Sequence, residues 1–160
     1  MSYSDLVAAS PRCASCGTLP PMKLLCFQAK RFWWKSFSQT PETAPKQDVE
    51  GEIRDAVVVF IHAEKSDESV DRNASVQRQA LKHIKWLANK RGLKNVVLHS
   101  FTHLGGISSS PEYAGSFLDE IARRLREGGY EVSLTPFGYF CEWDLSVYGD
   151  SLAKVWKEIG

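Results

Sequence analysis

The sequence lacks any apolar run of the ~18–20 residues needed to cross a bilayer. Its longest such run, Ala56–Ile61, is six residues, which excludes an integral helical membrane protein. It lacks an excess of charge of either sign: 20 Lys and Arg against 19 Asp and Glu leave +1. A strongly basic nucleic-acid coat is thereby excluded, though a local basic patch is not. No basic segment and no sufficient apolar stretch opens the chain, since the apolar run at Leu6–Ala9 is too short for a secretory leader. The expectation is a cytoplasmic protein without disulfides. Cysteine is sparse. Cys13 and Cys16 form a CxxC, but Cys26 and Cys141 stand alone, so the second ligand pair that a structural zinc site needs is missing. Four free thiols, no metal and no cofactor are expected. There is also no internal repeat, no Gly-rich phosphate loop and no GxSxG nucleophile elbow.

What is present is the composition of a globular domain, 43% hydrophobic and 24% charged over 160 residues. Residues 1–21 hold Pro11, Pro20, Pro21 and Gly17 without periodicity, and read as a flexible N-terminal extension. The domain is expected to span 22–160. Met22–Ala29 reads as a buried strand, and the aromatic-rich Arg31–Ser38 as a second strand forming a hairpin with it. Thr40–Gly51 reads as a loop. Asp55–Lys65 (DAVVVFIHAEK) is the strongest strand, and its unbroken apolar centre implies burial on both faces. A helix follows, with Val76, Ala80, Ile84, Leu87 and Ala88 at helical spacing, Asn73 or Ser75 as cap, and Gly92 at its end. Asn95–His99 is a short strand. Ser110 and Pro111 open a second helix that Gly128-Gly129 ends. Glu131–Thr135, a Pro136-Phe137-Gly138 corner, a strand over Tyr139–Val147 and a short helix from Asp150 complete the chain. The order β-β-β-α-β-α-β-β-α predicts an α/β (α+β) fold, one mixed β-sheet with crossover helices packed on it.

Three stretches place polar or small groups at strand ends, where ligand crevices form on sheets with crossover helices. They are His62–Lys65, Ser100–Gly106 (SFTHLGG) and Pro136–Cys141 (PFGYFC). The Gly-Gly pair beside His103 permits close backbone approach, and the Pro-Phe-Gly corner exposes backbone groups able to hold a carbonyl oxygen or a water. Each also has a plain structural reading: His62 and His99 alternate with core residues, His83 lies on a helix facing lysines and reads as surface, and Cys141 reads as a small buried thiol. Lys30, Arg31 and Lys35 among Phe32, Trp33 and Trp34 could follow an RNA backbone or form an ordinary strand edge.

Taken in order, MKLL, VVVFIHAEK, NVVLHSFTHL, SSSPEYA, GYEVSLTPFGYF and GDSLAK resemble the N-terminal editing domain of archaeal threonyl-tRNA synthetases, from Met22 to about Gly160. The resemblance implies a D-aminoacyl-tRNA deacylase-like fold and a proofreading hydrolase that removes L-serine mischarged on threonine-specific tRNA. It implies His103, Pro136 and Phe137 as catalytic residues beside the terminal adenosine and the scissile ester. Ala63, Gly138, Tyr139 and Phe140 would bind substrate, as would the positions of Cys141 and Lys154. Many relatives carry a lysine in place of Cys141 and a glutamate in place of Lys154. The terminal ribose 2′-hydroxyl would help to activate water, so that the chemistry is partly substrate-assisted. Implied partners are threonine-specific tRNA through its 3′ end, a synthetase core in cis or in trans, and a second copy in a homodimer. The rival readings are a D-aminoacyl-tRNA deacylase and a catalytically silent module that binds tRNA ends.

Overall fold

The computed structural model describes residues 19–40 and 48–160. The expected extension falls almost wholly outside the described residues, as do Cys13 and Cys16. The elements are β1 (Met22–Gln39), β2 (Glu50–His62), α1 (Val70–Arg91), β3 (Asn95–Ser100), α2 (Pro111–Glu127), β4 (Glu131–Leu134), β5 (Tyr139–Val147) and β6 (Lys154–Ile159). Short 3-10 turns lie at Lys65–Glu68 and Ser151–Ala153. The sheet runs β4-β3-β2-β1-β5, with β6 also paired to β1. β2, β3 and β4 are parallel, joined by α1 and α2 as crossovers, and the β1 pairings are antiparallel. This is the mixed sheet with crossover helices that the pattern of elements predicts.

Two cores explain the unbroken apolar run of β2. Val57, Val59 and Ile61 pack with Val76, Ile84, Leu87, Phe117, Ile121 and Leu125 beneath the two helices. Val58 and Phe60 face the other way, onto Phe32, Trp34 and Val97 in a core made of strands alone. Trp143 of β5 reaches Phe60 at 5.5 Å between ring centroids, so the β1–β5 ribbon curls over the face that the helices leave bare.

The expected hairpin of Met22–Ala29 and Arg31–Ser38 is instead the single 18-residue strand β1. The physical reason is a bulge. Register jumps between Ala29 and Arg31 against β5, and against β2 Lys30 and Asp55 drop out of the ladder. Asp55 takes φ 51° there. One extra residue flips the side-chain alternation. Met22, Leu24 and Cys26 face the helices, whereas Phe32 and Trp34 face the second core. The same break ends the pairing to β5 and leaves the first half of β1 free for β6. That corrects the C-terminal end as well: the helix expected from Asp150 is one 3-10 turn followed by β6, whose Lys154–Ile159 fills the open edge from Phe27 to Met22.

Other boundaries shift. β2 begins at Glu50, inside the expected Thr40–Gly51 loop, where a Cβ on Gly51 would strike the Trp34 ring. It ends at His62 rather than Lys65, because Glu64 and Asp67 cap the turn that follows. α1 starts at Val70, not near Asn73 or Ser75. Gly92 closes it at φ 66°, and Ser110 caps α2 by accepting from the Tyr113 N–H at 3.3 Å. His83 is half-buried rather than a surface residue; its ring stacks on Trp86.

Candidate functional site

A cavity of about 430 Å³ opens where the C-terminal ends of β2 and β3 meet the start of α2 and the turn into β5. Ala63 comes from β2, Ser100 and Thr102 from β3 and its loop, and Ser108, Ser109, Pro111 and Ala114 from the entry to α2. Phe137, Gly138, Tyr139 and Phe140 form the opposite wall, and Thr40 closes one side. That volume lies in the range of small-molecule sites.

Backbone hydrogen bonds hold these segments in place. The Phe101 N–H donates to the Ile61 carbonyl at 2.9 Å, Ser109 N–H to Ala63 O at 2.9 Å, and Lys65 N–H to Ile107 O at 2.8 Å. Thr40 N–H donates to Gly138 O at 2.8 Å, which ties the far end of β1 to the Phe137 turn. Gly138 sits at φ 81°, a conformation that any side chain would strain. The Phe137 ring lies over Gly115, where a Cβ would meet it at ordinary van der Waals distance.

Beneath the 102–108 loop lies a buried charged group. Glu64 is 1% exposed and pairs with Lys23. Its Oε2 accepts from the Ile107 N–H at 2.9 Å. His62, also 1% exposed, accepts from the Leu104 N–H through Nδ1 at 3.3 Å. Its Nε2 stands 3.5 Å from the Glu64 carboxylate. Burial holds the His62 pKa below the usual histidine range, against the opposing pull of Glu64, so the neutral ring keeps Nδ1 as an acceptor. Gly105 and Gly106 have φ of 100° and 76°, and a Cβ on Gly106 would collide with the Glu64 carboxylate. Gly106 is thus required by both its backbone conformation and the carboxylate below it, and Gly105 by its backbone conformation alone. The adjacent Asp67 accepts from the Glu64 N–H at 2.8 Å and pairs with Arg72 at 2.9 Å.

Of the residues singled out in the sequence, Ala63, Phe137, Gly138, Tyr139 and Phe140 share this cavity. Phe140 remains 52% exposed at its wall. His103 follows Thr102 but is not among the lining residues; it is exposed, with its ring edge-on to Phe101 at 5.2 Å. Pro136 precedes the lining turn without joining it. Cys141 sits one residue past the wall, opposite Ser36, with Sγ 3.9 Å from the Tyr139 carbonyl. Burial pushes its thiol pKa up. Lys154 stands opposite Phe27 at the start of β6, and its ammonium donates to the Tyr148 carbonyl at 3.4 Å. Glu142 faces Lys35 across the ladder. His99 is buried against Thr135 Oγ1 at 2.7 Å, and burial lowers its pKa to about 4.

The sequence reading passed over Thr40, Ser108, Ser109 and Ala114. Thr40 carries no local signal, since only the length and curl of β1 bring it to the cavity. The serines of SSSP announced a helix cap and nothing more.

Among the described residues, the lining contains no His, Cys, Asp, Glu, Lys or Arg. It offers hydroxyls, backbone groups and aromatic walls. Among the described residues, no group of three or more His, Cys, Asp or Glu could hold a metal ion. Such a cavity can bind, orient and exclude, but the described residues of its walls supply no carboxylate, imidazole or thiolate base.

Comparison with known proteins gives a consistent answer. The family model described as the archaea-specific editing domain of threonyl-tRNA synthetase matches residues 22–159. A threonine–tRNA ligase of Thermococcus onnurineus is 32% identical over 121 residues, 76% of this chain and 19% of that protein. The enzyme of the same name from Methanocaldococcus jannaschii is 27% identical over 138 residues, 86% of this chain and 22% of its own length. The chain thus spans about a fifth of the curated relatives it matches. A solved structure titled c-Myc DNA Unwinding Element Binding Protein superposes with a TM-score of 0.61 at 12% identity, covering 86% of this chain and 99% of that one. At that identity the likeness is one of fold, the deacylase-like fold.

Proposed function

This chain belongs to the archaea-specific editing-domain family of threonyl-tRNA synthetase, and on that premise we propose that it hydrolyses the ester of L-serine wrongly attached to threonine-specific tRNA. The observation that carries the reading is the cavity itself: Ala63, Thr102 and the Phe137–Phe140 wall enclose one small hydroxyl-lined space. Serine lacks one methyl group of threonine, and a synthetic site built for the larger amino acid rejects the smaller by only ~1–3 kcal/mol. A second site that admits serine and clashes with the extra methyl completes the discrimination.

The cavity supports the following division of roles. Ala63 and Thr102 bound the side-chain end of the cavity. Phe137 and Gly138 present backbone toward the ester carbonyl, and Tyr139 and Phe140 wall the terminal nucleoside. His103, on the rim, acts on the adenosine rather than from within the cavity. Water attacks the ester carbon and its proton passes to oxygen. The bond to the 3′ oxygen breaks, the 3′ hydroxyl re-forms, and serine leaves as the free acid. With no acid–base side chain among the described lining residues, the neighbouring 2′-hydroxyl of the terminal ribose serves as a relay: it orients the water and accepts its proton while passing its own proton to the departing 3′ oxygen. Cys141 and Lys154 act outside the cavity, so their departure from the family pattern is compatible with turnover. The activity is that of an aminoacyl-tRNA ester hydrolase in protein biosynthesis. It works with a synthetase core in cis or in trans and as a homodimer.

The test compares L-seryl, L-threonyl and D-seryl esters on the same tRNA. The L-seryl ester is expected to be cleaved at least about tenfold faster than the L-threonyl ester, and faster than the D-seryl ester. Preference for the D-ester would assign the chain to D-aminoacyl-tRNA instead. Tight binding with no cleavage of any ester would leave a silent tRNA-end module.

A further inference from the structure

The basic and aromatic stretch that the sequence offers to RNA, Lys30–Lys35, is largely consumed by the fold. Arg31 is paired with Glu52 at 2.9 Å and Asp144 at 2.8 Å. Trp33 Nε1 donates to Glu50 at 2.7 Å, Phe32 and Trp34 are buried in the second core, and Lys30 lies over the Tyr148 ring. Lys35 is left over in the ladder between Glu50 and Glu142, but the larger group of unpaired positive charge among the described residues is elsewhere.

It is on α1. That helix carries Arg72, Arg78, Lys82, Lys85, Lys90 and Arg91 against the single acid Asp71, in a chain whose net charge is only +1. Arg72 and Arg91 are used by Asp67 and Asp150. Among the described residues, none of the other four is in an ion pair. Their spacing, with Arg78, Lys82 and Lys85 on successive turns, makes a stripe along one side of the helix. Beside it is a second cavity, of about 290 Å³, lined by Gln79, Lys82, His83, Trp86 and Lys157 of β6. Among the described residues, no carboxylate lines it. Its two ammoniums are exposed and unpaired among the described residues. His83 Nε2 is buried there without a hydrogen-bond partner. Trp86, 41% exposed, stacks on His83 at 5.7 Å between centroids and lies under Lys90, which fixes the wall of the cavity.

Two unpaired cations, an unsatisfied ring nitrogen and an amide around a hollow with no acid are complementary to an anion. The cationic stripe leading away from it is complementary to a row of anions. We infer that the outer face of α1, centred on Lys82, His83 and Lys157, is a second tRNA contact that binds backbone phosphates, apart from the cavity that takes the 3′ end. The contact is sequence-independent, because it offers charge and no arrangement able to read base edges. It gives affinity for the tRNA body while the ester end is handled elsewhere. The inference rests on the proposed function, since it takes tRNA as the polyanion.

The experiment measures binding of uncharged tRNA to the whole chain across a salt series, for the unaltered protein and for the double variant Lys82→Gln, Lys157→Gln. Both positions are exposed, so the fold is not expected to suffer, and a melting curve checks this. The dissociation constant is expected to rise on the order of tenfold. The log–log salt slope should fall by about 1.4–1.8, as for the loss of two phosphate contacts. Hydrolysis of a seryl ester of free adenosine should be unchanged. Unaltered affinity and slope in the variant, with the tRNA ester still hydrolysed by the unaltered protein, would remove the α1 contact and leave the proposed function standing. An equal loss of binding to poly-glutamate would assign the face to acidic proteins and overturn the RNA assignment. Absence of both tRNA binding and ester hydrolysis in the unaltered protein would sink the two together.

Discussion

A seryl ester carried on the 3′ oxygen of a tRNA ending in 2′-deoxyadenosine is expected to be hydrolysed on the order of 10²–10⁴-fold more slowly than the natural ester, the range of a lost general base. The expectation follows from what the cavity contains. Among the described residues, its lining offers hydroxyls, small side chains and aromatic rings, and none that carries a carboxylate, an imidazole or a thiol. The companion variant is Cys141→Ala. The thiol stands outside the lining, its pKa pushed up by burial, and a thiol so placed is a poor nucleophile and a poor base. Its removal is expected to change the rate by less than about threefold. Equal losses in the two experiments would give the chemistry to a side chain and contradict the substrate-assisted reading. Single-turnover rates under saturating enzyme keep binding out of the comparison.

Glu64→Leu is expected to be the most damaging single substitution near the site. It strands the Lys23 ammonium, of which only 12% of the side chain is exposed, and leaves the Ile107 N–H without its acceptor. Removing one member of a buried ion pair costs about 3–5 kcal/mol, or roughly 6–20 °C in melting temperature for a chain of this size. Below the melting point the effect should persist as a loss of turnover, because the 102–108 loop loses the anchor that sets Thr102 and Ser108 in the cavity wall. Lys23→Met combined with Glu64→Leu should regain part of the stability, since no charge is then left unpaired. An unchanged melting temperature in Glu64→Leu would show that the carboxylate does not hold the loop.

Much of this architecture was legible because local and long-range signals agree. The unbroken run of β2 is buried on both faces, Gly92 ends α1 in the left-handed conformation, and Ser110 with Pro111 opens α2. The two misreadings of topology, the expected hairpin and the expected C-terminal helix, share one origin. A bulge at Lys30 changes which face of the sheet β1 presents, and nothing in its local sequence marks one twisted strand rather than two. The same break decides that Lys154–Ile159 extends along β1 instead of coiling, an outcome set by an open edge far away in sequence. The site shows the same division. Ala63 and the Phe137–Phe140 turn could be singled out because they stand at strand ends in recognisable stretches. Thr40 and the Ser108–Ser109 wall arrive through tertiary curl and have no local signature. Glu64 was read as part of a strand end, and its control of the glycine loop required the fold. Lys154 was expected beside the substrate, yet stands at the Tyr148 carbonyl, on the edge strand that completes β1.

The most direct test of the site is Ala63→Leu, measured as single-turnover hydrolysis of the L-seryl ester with tRNA affinity and melting temperature recorded in parallel. Leucine would fill the end of the cavity at the cost of about 1–3 kcal/mol of overpacking. Hydrolysis should fall by at least about a hundredfold while the folded protein still binds tRNA, since the α1 face is untouched. A folded Ala63→Leu protein that clears serine at the original rate would show that this cavity is not where the ester is cleaved.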